Sequence, residues 1–213
     1  MSSVKASALK PRKPARQQRS QATIEAILEA AARILAKDSL AGLNTNRVAE
    51  VAGISIGSLY QYFPNKEALI AALLLRAHVA QAEGLKALAS SLRGQPLPVA
   101  VRALVKLAMR GQWEQPMLAA ALDHEERRLP VEKLLRASHQ AIDESLVELL
   151  HEHRQAIAPG DLSVIARDVV DIAKALIEKD ADGRSEVPAG LEDRIYRAVM
   201  GYLVTPTAPA SRR

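Results

Sequence analysis

The chain has no cysteine and few aromatic residues, and both absences narrow its possible functions. Zero cysteines exclude disulfide bonds and thiolate metal ligands, and they fit a protein of the cytosol. Aromatic residues make up only 3% of the 213 residues, so Ala, Leu, Val and Ile must build the core. That composition favours helices. No alternating apolar and polar run bounded by turn residues stands out, and we therefore predict an all-α fold.

Membrane spans and export signals are also missing from the sequence. No 18-residue apolar stretch is free of charge, so we expect no membrane partner. The N-terminus is basic but has neither the apolar centre nor the cleavage site of a secretory signal. These features predict a cytoplasmic protein.

Signatures of catalysis are absent as well. There is no Gly-rich phosphate loop, no nucleophile elbow and no cysteine nucleophile. The clusters His151-Glu152-His153 and His124-Glu125-Glu126 are the best candidates for a metal or acid–base site. Helical residues two apart point to different faces, and the His-Glu-x-x-His spacing is absent. We interpret both clusters as solvated charged faces, and we expect no enzyme activity, no metal and no cofactor.

Positive charge is concentrated in the first third of the chain. Residues 1–66 hold ten Lys/Arg and four Asp/Glu, a net charge of +6, whereas residues 67–213 carry a net charge of −1. Such a segment attracts a phosphate backbone. Residues 1–19 contain six of these cations and no acid, which predicts a disordered basic arm. This arm either adds contacts to nucleic acid or is a dispensable tail.

Residues 42–66 have the pattern of two short helices joined by a tight turn. Thr45 can cap a helix over 45–52, and Gly53 can end it, because glycine enters the left-handed conformation at low cost. Ser55 can cap a second helix over 56–62, and Pro64 ends that helix, because the residue before a proline is pushed out of helical angles. This is the build of a DNA-reading helix-turn-helix.

The same stretch resembles the TetR family of bacterial transcriptional repressors, and the resemblance covers roughly residues 16–75. Asn44 replaces the first Thr of the family pattern, and Val48 and Ile54 are conservative apolar changes. The matching residues are Gly42, Thr45, Val48-Ala49, Ala52-Gly53-Ile54-Ser55, Gly57, Leu59-Tyr60, Tyr62-Phe63 and Lys66.

Residues 56–63 carry no charge, so sequence specificity must come from hydroxyl, amide and apolar contacts. Ile56 can contact a thymine methyl, Gly57 lets the backbone approach DNA, and Ser58 can bond a base edge or a phosphate. The resemblance implies phosphate contacts by Tyr60, Tyr62 and Lys66. Thr45 and Arg47, at the start of the preceding helix, are expected to contact phosphates too, while Leu59 and Phe63 are expected in the core. The predicted DNA-binding set is Thr45, Arg47, Ser55, Ile56, Gly57, Ser58, Tyr60, Gln61, Tyr62 and Lys66.

The rest of the chain is predicted to be helical, with a first helix over 20–37, a fourth over 65–89, and five more to residue 204. The resemblance implies an N-terminal three-helix helix-turn-helix domain and a C-terminal helical-bundle domain for regulation and dimerisation. The predicted ranges are 1–19 for the basic arm, 20–66 for the DNA-binding domain, 67–205 for the ligand-binding and dimerisation domain, and 206–213 for a flexible tail.

A single helix-turn-helix makes few contacts, so we expect a homodimer on a two-fold double-stranded operator. Apolar stripes on the last two helices cover more than one face, and the resemblance assigns these helices to a four-helix dimer interface. The expected interface residues are Ile165, Val169, Ile172, Leu176, Ile195, Val199 and Tyr202.

The resemblance also implies a small-molecule effector that binds the second domain and releases DNA. An aliphatic pocket would suit an apolar effector, with candidate residues Met109, Trp113, Met117, His124 and His139. Two alternatives stay open: a DNA-binding protein without an effector, and an activator in place of a repressor. The protein is expected in the bacterial cytoplasm, in association with the nucleoid.

Overall fold

The computed structural model describes residues 18–181 and 186–204. The predicted tail, 206–213, and all but the last two residues of the predicted arm lie outside these ranges. The described part contains α-helices and no strand, which confirms the all-α prediction. The helices are α1 (Gln18–Gly42), α2 (Thr45–Val51), α3 (Ile56–Tyr62), α4 (Lys66–Ser91), α5 (Leu97–Glu114), α6 (Pro116–Arg128), α7 (Glu132–Glu152), α8 (Leu162–Ala181) and α9 (Leu191–Leu203).

Helix α1 extends beyond its predicted end, but a kink divides it. The helical residues after the kink reach Gly42, whereas the predicted end, Lys37, lies just before the kink. Ser39 breaks the helical geometry with φ 56° and ψ −166°. This conformation is essentially restricted to glycine, so it stores strain of about 1–3 kcal/mol in a serine.

One compact unit comprises the described residues up to Ala80 together with Gln115–Ser138; we call it unit 1. Helix α1 packs on α6 and α2, and α2 packs on α3. The centre of this unit is fully apolar and at most 1% exposed, and it includes Ile27, Leu35, Val48, Leu59, Phe63, Leu69, Ile70 and Leu74.

A second compact unit comprises Gln81–Glu114 and the described residues from His139 onward; we call it unit 2. Helices α5, α8 and α9 pack on one another. Helix α9 buries one face through residues four apart, as an amphipathic helix does. These residues are Leu191, Ile195, Val199 and Leu203, none more than 2% exposed.

A charged cluster also joins α5 to α9 at the edge of unit 2. Arg102 donates to Glu192 at 3.1 Å and to Asp193 at 2.9 Å, and its guanidinium lies 4.2 Å from the centre of the Tyr196 ring. The hydrogen bonds to Asp193 and Glu192 raise the pKa of Arg102. The cluster supplements the apolar contacts that hold the two helices together.

The units do not divide the chain at the predicted boundary between residues 66 and 67. Helix α6 groups with the N-terminal helices because it packs on α1. The predicted functional ranges 20–66 and 67–205 therefore stay predictions.

Among the described helices, α4 alone has the length and apolar composition that could cross a membrane. Its first half lies in the core of unit 1, where Leu69, Ile70 and Leu74 are buried. The core helix of a globular protein passes the same test of length and composition, and we describe α4 as a core helix.

Candidate nucleic-acid interface

Helices α2 and α3 are short, and local contacts define their ends. Asn44 is the N-cap of α2, and its side-chain oxygen accepts from the Arg47 amide at 2.9 Å. The prediction that Thr45 caps this helix was therefore wrong by one residue. Asparagine and threonine side chains can both cap a helix, and Asn44 is the residue that comes directly before the first helical residue.

The turn between the two helices follows the predicted chemistry. Gly53 has φ 67°, in the left-handed region, and its amide donates to the Glu50 carbonyl at 3.1 Å. Ser55 caps α3 by accepting from the Ser58 amide at 3.1 Å. Helix α3 ends at Tyr62, and the next residue, Phe63, is extended. The predicted stop before Pro64 is confirmed.

Helix α3 has an anchored face and an outward face. Leu59 and Phe63 are 0% and 1% exposed, which confirms their predicted place in the core. Tyr62 is partly buried against the same core. The outward face is uncharged, with exposed side chains at Ile56, Tyr60 and Gln61 and an exposed backbone at Gly57.

Hydrogen bonds bring predicted DNA-contacting residues together in pairs. The Tyr60 and Thr45 hydroxyls lie 3.1 Å apart, and the hydrogen bond between them links α3 to the start of α2. The Ser55 and Ser58 hydroxyls lie 2.9 Å apart. Each pair places two hydroxyl groups at one point of the surface, where they can donate or accept.

The two predicted cationic contacts have partners inside the protein. Arg47 Nη2 donates to Asp38 Oδ2 at 2.6 Å, and Lys66 Nζ donates to the Leu40 carbonyl at 3.1 Å. An ammonium has three donors, so Lys66 keeps two N–H groups for other acceptors. Sequence reasoning missed Asp38 and Leu40 because no local pattern connects them with residues 47 and 66.

The acid–base candidates of unit 1 are also paired. Glu125 is 5% exposed, and its two carboxylate oxygens share the single Nε–H of Arg128 while one of them also accepts from Nη2. These hydrogen bonds raise the pKa of Arg128. Glu126 lies 3.0 Å from the His78 Nε2. These carboxylates are engaged by neighbouring cations and rings.

Family models match both parts of the chain. The model of bacterial regulatory proteins of the tetR family matches residues 27–73, which contain α2 and α3. The model of the tetracyclin repressor-like C-terminal domain matches residues 96–203, about half of the chain. The chain belongs to the TetR family. It is thus a DNA-binding transcriptional regulator, in a family of regulators rather than enzymes, with an N-terminal helix-turn-helix and a C-terminal ligand-binding domain.

Solved TetR-family structures share the fold at low sequence identity. A regulator from Mesorhizobium loti is 18% identical with a TM-score of 0.70. FadR from Thermus thermophilus, a repressor in complex with lauroyl-CoA, is 22% identical with a TM-score of 0.64. A regulator from Rhodococcus sp. RHA1 is 22% identical with a TM-score of 0.59. Each alignment covers 89% of this chain and 100% of the other. No curated protein matches significantly.

The five candidate effector residues are divided between the two units. Met109 is buried in unit 2, and Trp113 is partly buried against the same core. The Trp113 Nε1 is buried and has no hydrogen-bond partner among the described residues. Met117 and His124 are exposed on α6 in unit 1, and His139 lies on α7 in unit 2. Their role in binding stays a prediction.

The expected dimer residues differ in burial within the single chain. Ile165, Val169, Ile195 and Val199 lie in the core of unit 2. Three others remain partly or well exposed: Ile172, Leu176 and Tyr202. The interface also stays a prediction.

Proposed function

We propose that this TetR-family regulator is a repressor that binds a palindromic operator as a homodimer and leaves it when a small molecule binds. Helix α3 enters the major groove of double-stranded DNA and reads base edges. The observation that carries this proposal is the uncharged outward face of α3, anchored from behind by Leu59 and Phe63.

Gly57 supports close approach of this helix to DNA. Among the described residues, a Cβ added at this position would meet only the Ser55 Oγ, at 3.9 Å, so packing within that part of the chain does not require glycine. Glycine nevertheless forms helices less readily than alanine, by up to about 1 kcal/mol in a helix interior. Close approach of DNA to this face of α3 would need the space beside residue 57, and this accounts for a glycine at that position.

The base-reading residues in this proposal are Ile56 and Ser58, with Gln61 beside them. Ile56 is 37% exposed and offers an apolar contact to a thymine methyl, while Ser58 offers a hydroxyl. The Thr45–Tyr60 pair and Lys66 supply phosphate contacts that fix the register of the helix. Tyr62, which is partly buried, contributes its hydroxyl at the edge of this surface.

The dimer forms through the sides of α8 and α9 that the core of unit 2 leaves accessible. Ile172 and Leu176 on α8 and Met200 on α9 are half-buried and pack against the core of unit 2. A second copy would cover these apolar side chains and place two α3 helices on a two-fold operator.

The effector of this proposal binds in unit 2 and is apolar with at least one hydrogen-bond acceptor. Met109 and Trp113 provide adaptable apolar surface, and the indole N–H of Trp113 lacks a partner among the described residues. Buried donors are ordinarily paired, so an acceptor on a ligand would satisfy it. The lauroyl-CoA bound to the Thermus thermophilus FadR makes acyl-CoA thioesters a reasonable first panel.

Selection of genomic fragments by the purified protein at near-physiological salt tests the DNA part of the proposal. Enrichment of an inverted repeat supports it and gives the operator. Salt-sensitive retention of fragments without a common sequence would overturn it in favour of an architectural protein that binds DNA through phosphate contacts alone.

Fluorescence of Trp113, the sole tryptophan of the chain, tests the effector part. Titration with lauroyl-CoA, with free coenzyme A as the control, should give a saturable change that is matched by loss of operator binding. A set of effective ligands that are all highly charged and lack apolar groups would contradict an apolar pocket.

A further inference from the structure

We propose that Asp38 and Arg47 form a positioning pair for the DNA-reading helix, and that Arg47 acts through Asp38 rather than by contacting a phosphate. The proposal rests on the proposed function, because operator binding is one of its readouts. It assigns to Asp38 a role that no sequence motif indicates.

Both ends of Arg47 are engaged within the protein. The guanidinium Nη2 lies 2.6 Å from Asp38 Oδ2, and the backbone amide donates to the cap residue Asn44 at 2.9 Å. The side chains of Arg47 and Asp38 are 40% and 30% exposed, so the pair is partly shielded from water. A short, charge-assisted bond in such a place is stronger than one between fully exposed groups.

The local backbone fixes Asp38 against α2. Asp38 precedes the strained Ser39, where α1 bends. A Cβ added at Gly42 would lie 2.4 Å from the Asp38 Cβ and 3.2 Å from the Arg47 Nη1. Only the absence of a side chain at residue 42 allows this approach.

A second bond holds the same bent segment to α4. The Lys66 Nζ donates to the Leu40 carbonyl at 3.1 Å, in a part-buried position. Arg47 thus bonds segment 38–42 to the start of α2, and Lys66 bonds the same segment to the start of α4. The same carbonyl also accepts from the Leu43 amide at 3.4 Å, so Lys66 adds a shorter, charged donor at the end of this helix.

These contacts continue to α3 through two hydroxyls. Thr45 lies two residues before Arg47 on α2, and its hydroxyl is 3.1 Å from that of Tyr60. Bonds therefore run from the end of α1 to α2, and from α2 to the outward face of α3. Loss of the Asp38–Arg47 bond should loosen the placement of Tyr60.

The charges of Asp38 and Arg47 give a reason for this ion pair to stay intact when DNA binds. If Arg47 turned to a phosphate, the Asp38 carboxylate would remain beside the phosphate backbone without a counter-charge, and like charges repel. The intact pair is neutral and releases no counterion when DNA binds. It therefore contributes nothing to the salt slope of binding.

Operator affinity at several salt concentrations separates the two roles of Arg47. The variants are Asp38→Asn, Arg47→Gln and the double variant. Arg33→Gln is the control, because within the described part of the chain the ion pair of Arg33 is with Glu29 on the same helix. We expect each single variant to weaken operator binding about five-fold, as loss of one ion pair does, and the double variant to be no weaker. In the double variant, which is neutral at this point as the intact pair is, the salt slope and the binding to random DNA should stay unchanged.

A phosphate contact would give the opposite pattern and overturn the proposal. The double variant would then lower the salt slope by about one and weaken binding to all sequences. Asp38→Asn would leave binding unchanged or strengthen it, by freeing Arg47.

Hydrogen exchange of the free protein tests the pair without DNA. The amides of Ser58 and Leu59 in α3 should exchange faster in Asp38→Asn and in Arg47→Gln than in Arg33→Gln, and Arg47→Lys should restore part of the protection. Unchanged exchange in α3 overturns the positioning role. If no operator is found, the proposed function fails while this measurement still decides the inference.

Discussion

The α2–α3 segment of unit 1 and the α8–α9 pair of unit 2 are held in different ways. Helices α2 and α3 have seven residues each, too few to be stable alone, and depend on caps, one glycine turn and a few buried anchors. Helices α8 and α9 have 20 and 13 residues and pack through continuous apolar stripes. In the α2–α3 segment, therefore, a few single residues hold the helices in place while their neighbours are left for surface contacts. In the α8–α9 pair, stability comes from whole apolar helix faces.

The largest effect is expected from removing an anchor of α3. Phe63→Ala should lower the free energy of unfolding by about 3–5 kcal/mol, because the side chain is 1% exposed and leaves a cavity. Denaturant unfolding measures the loss, and operator binding should fall as α3 loosens. Ile56→Ala, on the exposed face, serves as the control and should leave stability nearly unchanged. Equal destabilisation by both variants would mean that the two faces of α3 are not distinct.

A smaller effect is expected on recognition. Ser58→Ala should cost about 1–3 kcal/mol at particular operator positions if the hydroxyl bonds a base edge. Binding of operator and random duplexes, compared position by position, measures this cost. Ser163→Ala on α8 removes a hydroxyl far along the chain from the interface and is the matched control. Identical losses on operator and random DNA would exclude Ser58 from base reading.

Relief of strain at the end of α1 should stabilise unit 1. Ser39→Gly removes the penalty of the positive φ and should raise the free energy of unfolding by about 1 kcal/mol. Ala137→Gly, at an exposed position inside α7, should instead lower it by about 1 kcal/mol. Thermal unfolding of both variants gives the comparison. A lower melting temperature for Ser39→Gly would show that the bend carries no strain.

The smallest effect concerns the α8–α9 pair, where Tyr202 donates a hydrogen bond to Asp168. This bond, with a smaller effect of burial, raises the pKa of Tyr202 above its ordinary value. A raised folded-state pKa gives stability that is present below the ordinary tyrosine pKa of about 10 and lost as pH rises through the folded value. The difference in melting temperature between wild type and Tyr202→Phe should therefore shrink between pH 8 and pH 11. A difference that stays constant would mean that the bond does not contribute.

The sequence predicted unit 1 well where the causes are local. Gly53, Ser55 and Pro64 each act on the one or two residues beside them, so the turn and the limits of α3 follow from the chain alone. The cap of α2 was misplaced by one residue because Asn44 and Thr45 are both capable of capping.

The remaining features depend on residues that are distant along the chain. The bond of Lys66 to Leu40 spans 26 residues, and that of Arg47 to Asp38 spans nine. Local patterns carry no information about such pairs. The same reason limits unit 2, where burial of Ile195 follows from packing among α5, α8 and α9.

The separation of faces on α3 has a consequence for how such proteins diverge. Ile56, Ser58 and Gln61 are not among the buried residues that anchor the helix, whereas Leu59 and Phe63 are. Mutations at the first three positions can accumulate without loss of folding. Under the proposed function, in which these three residues read DNA, a single substitution can change the operator preference while the scaffold is kept.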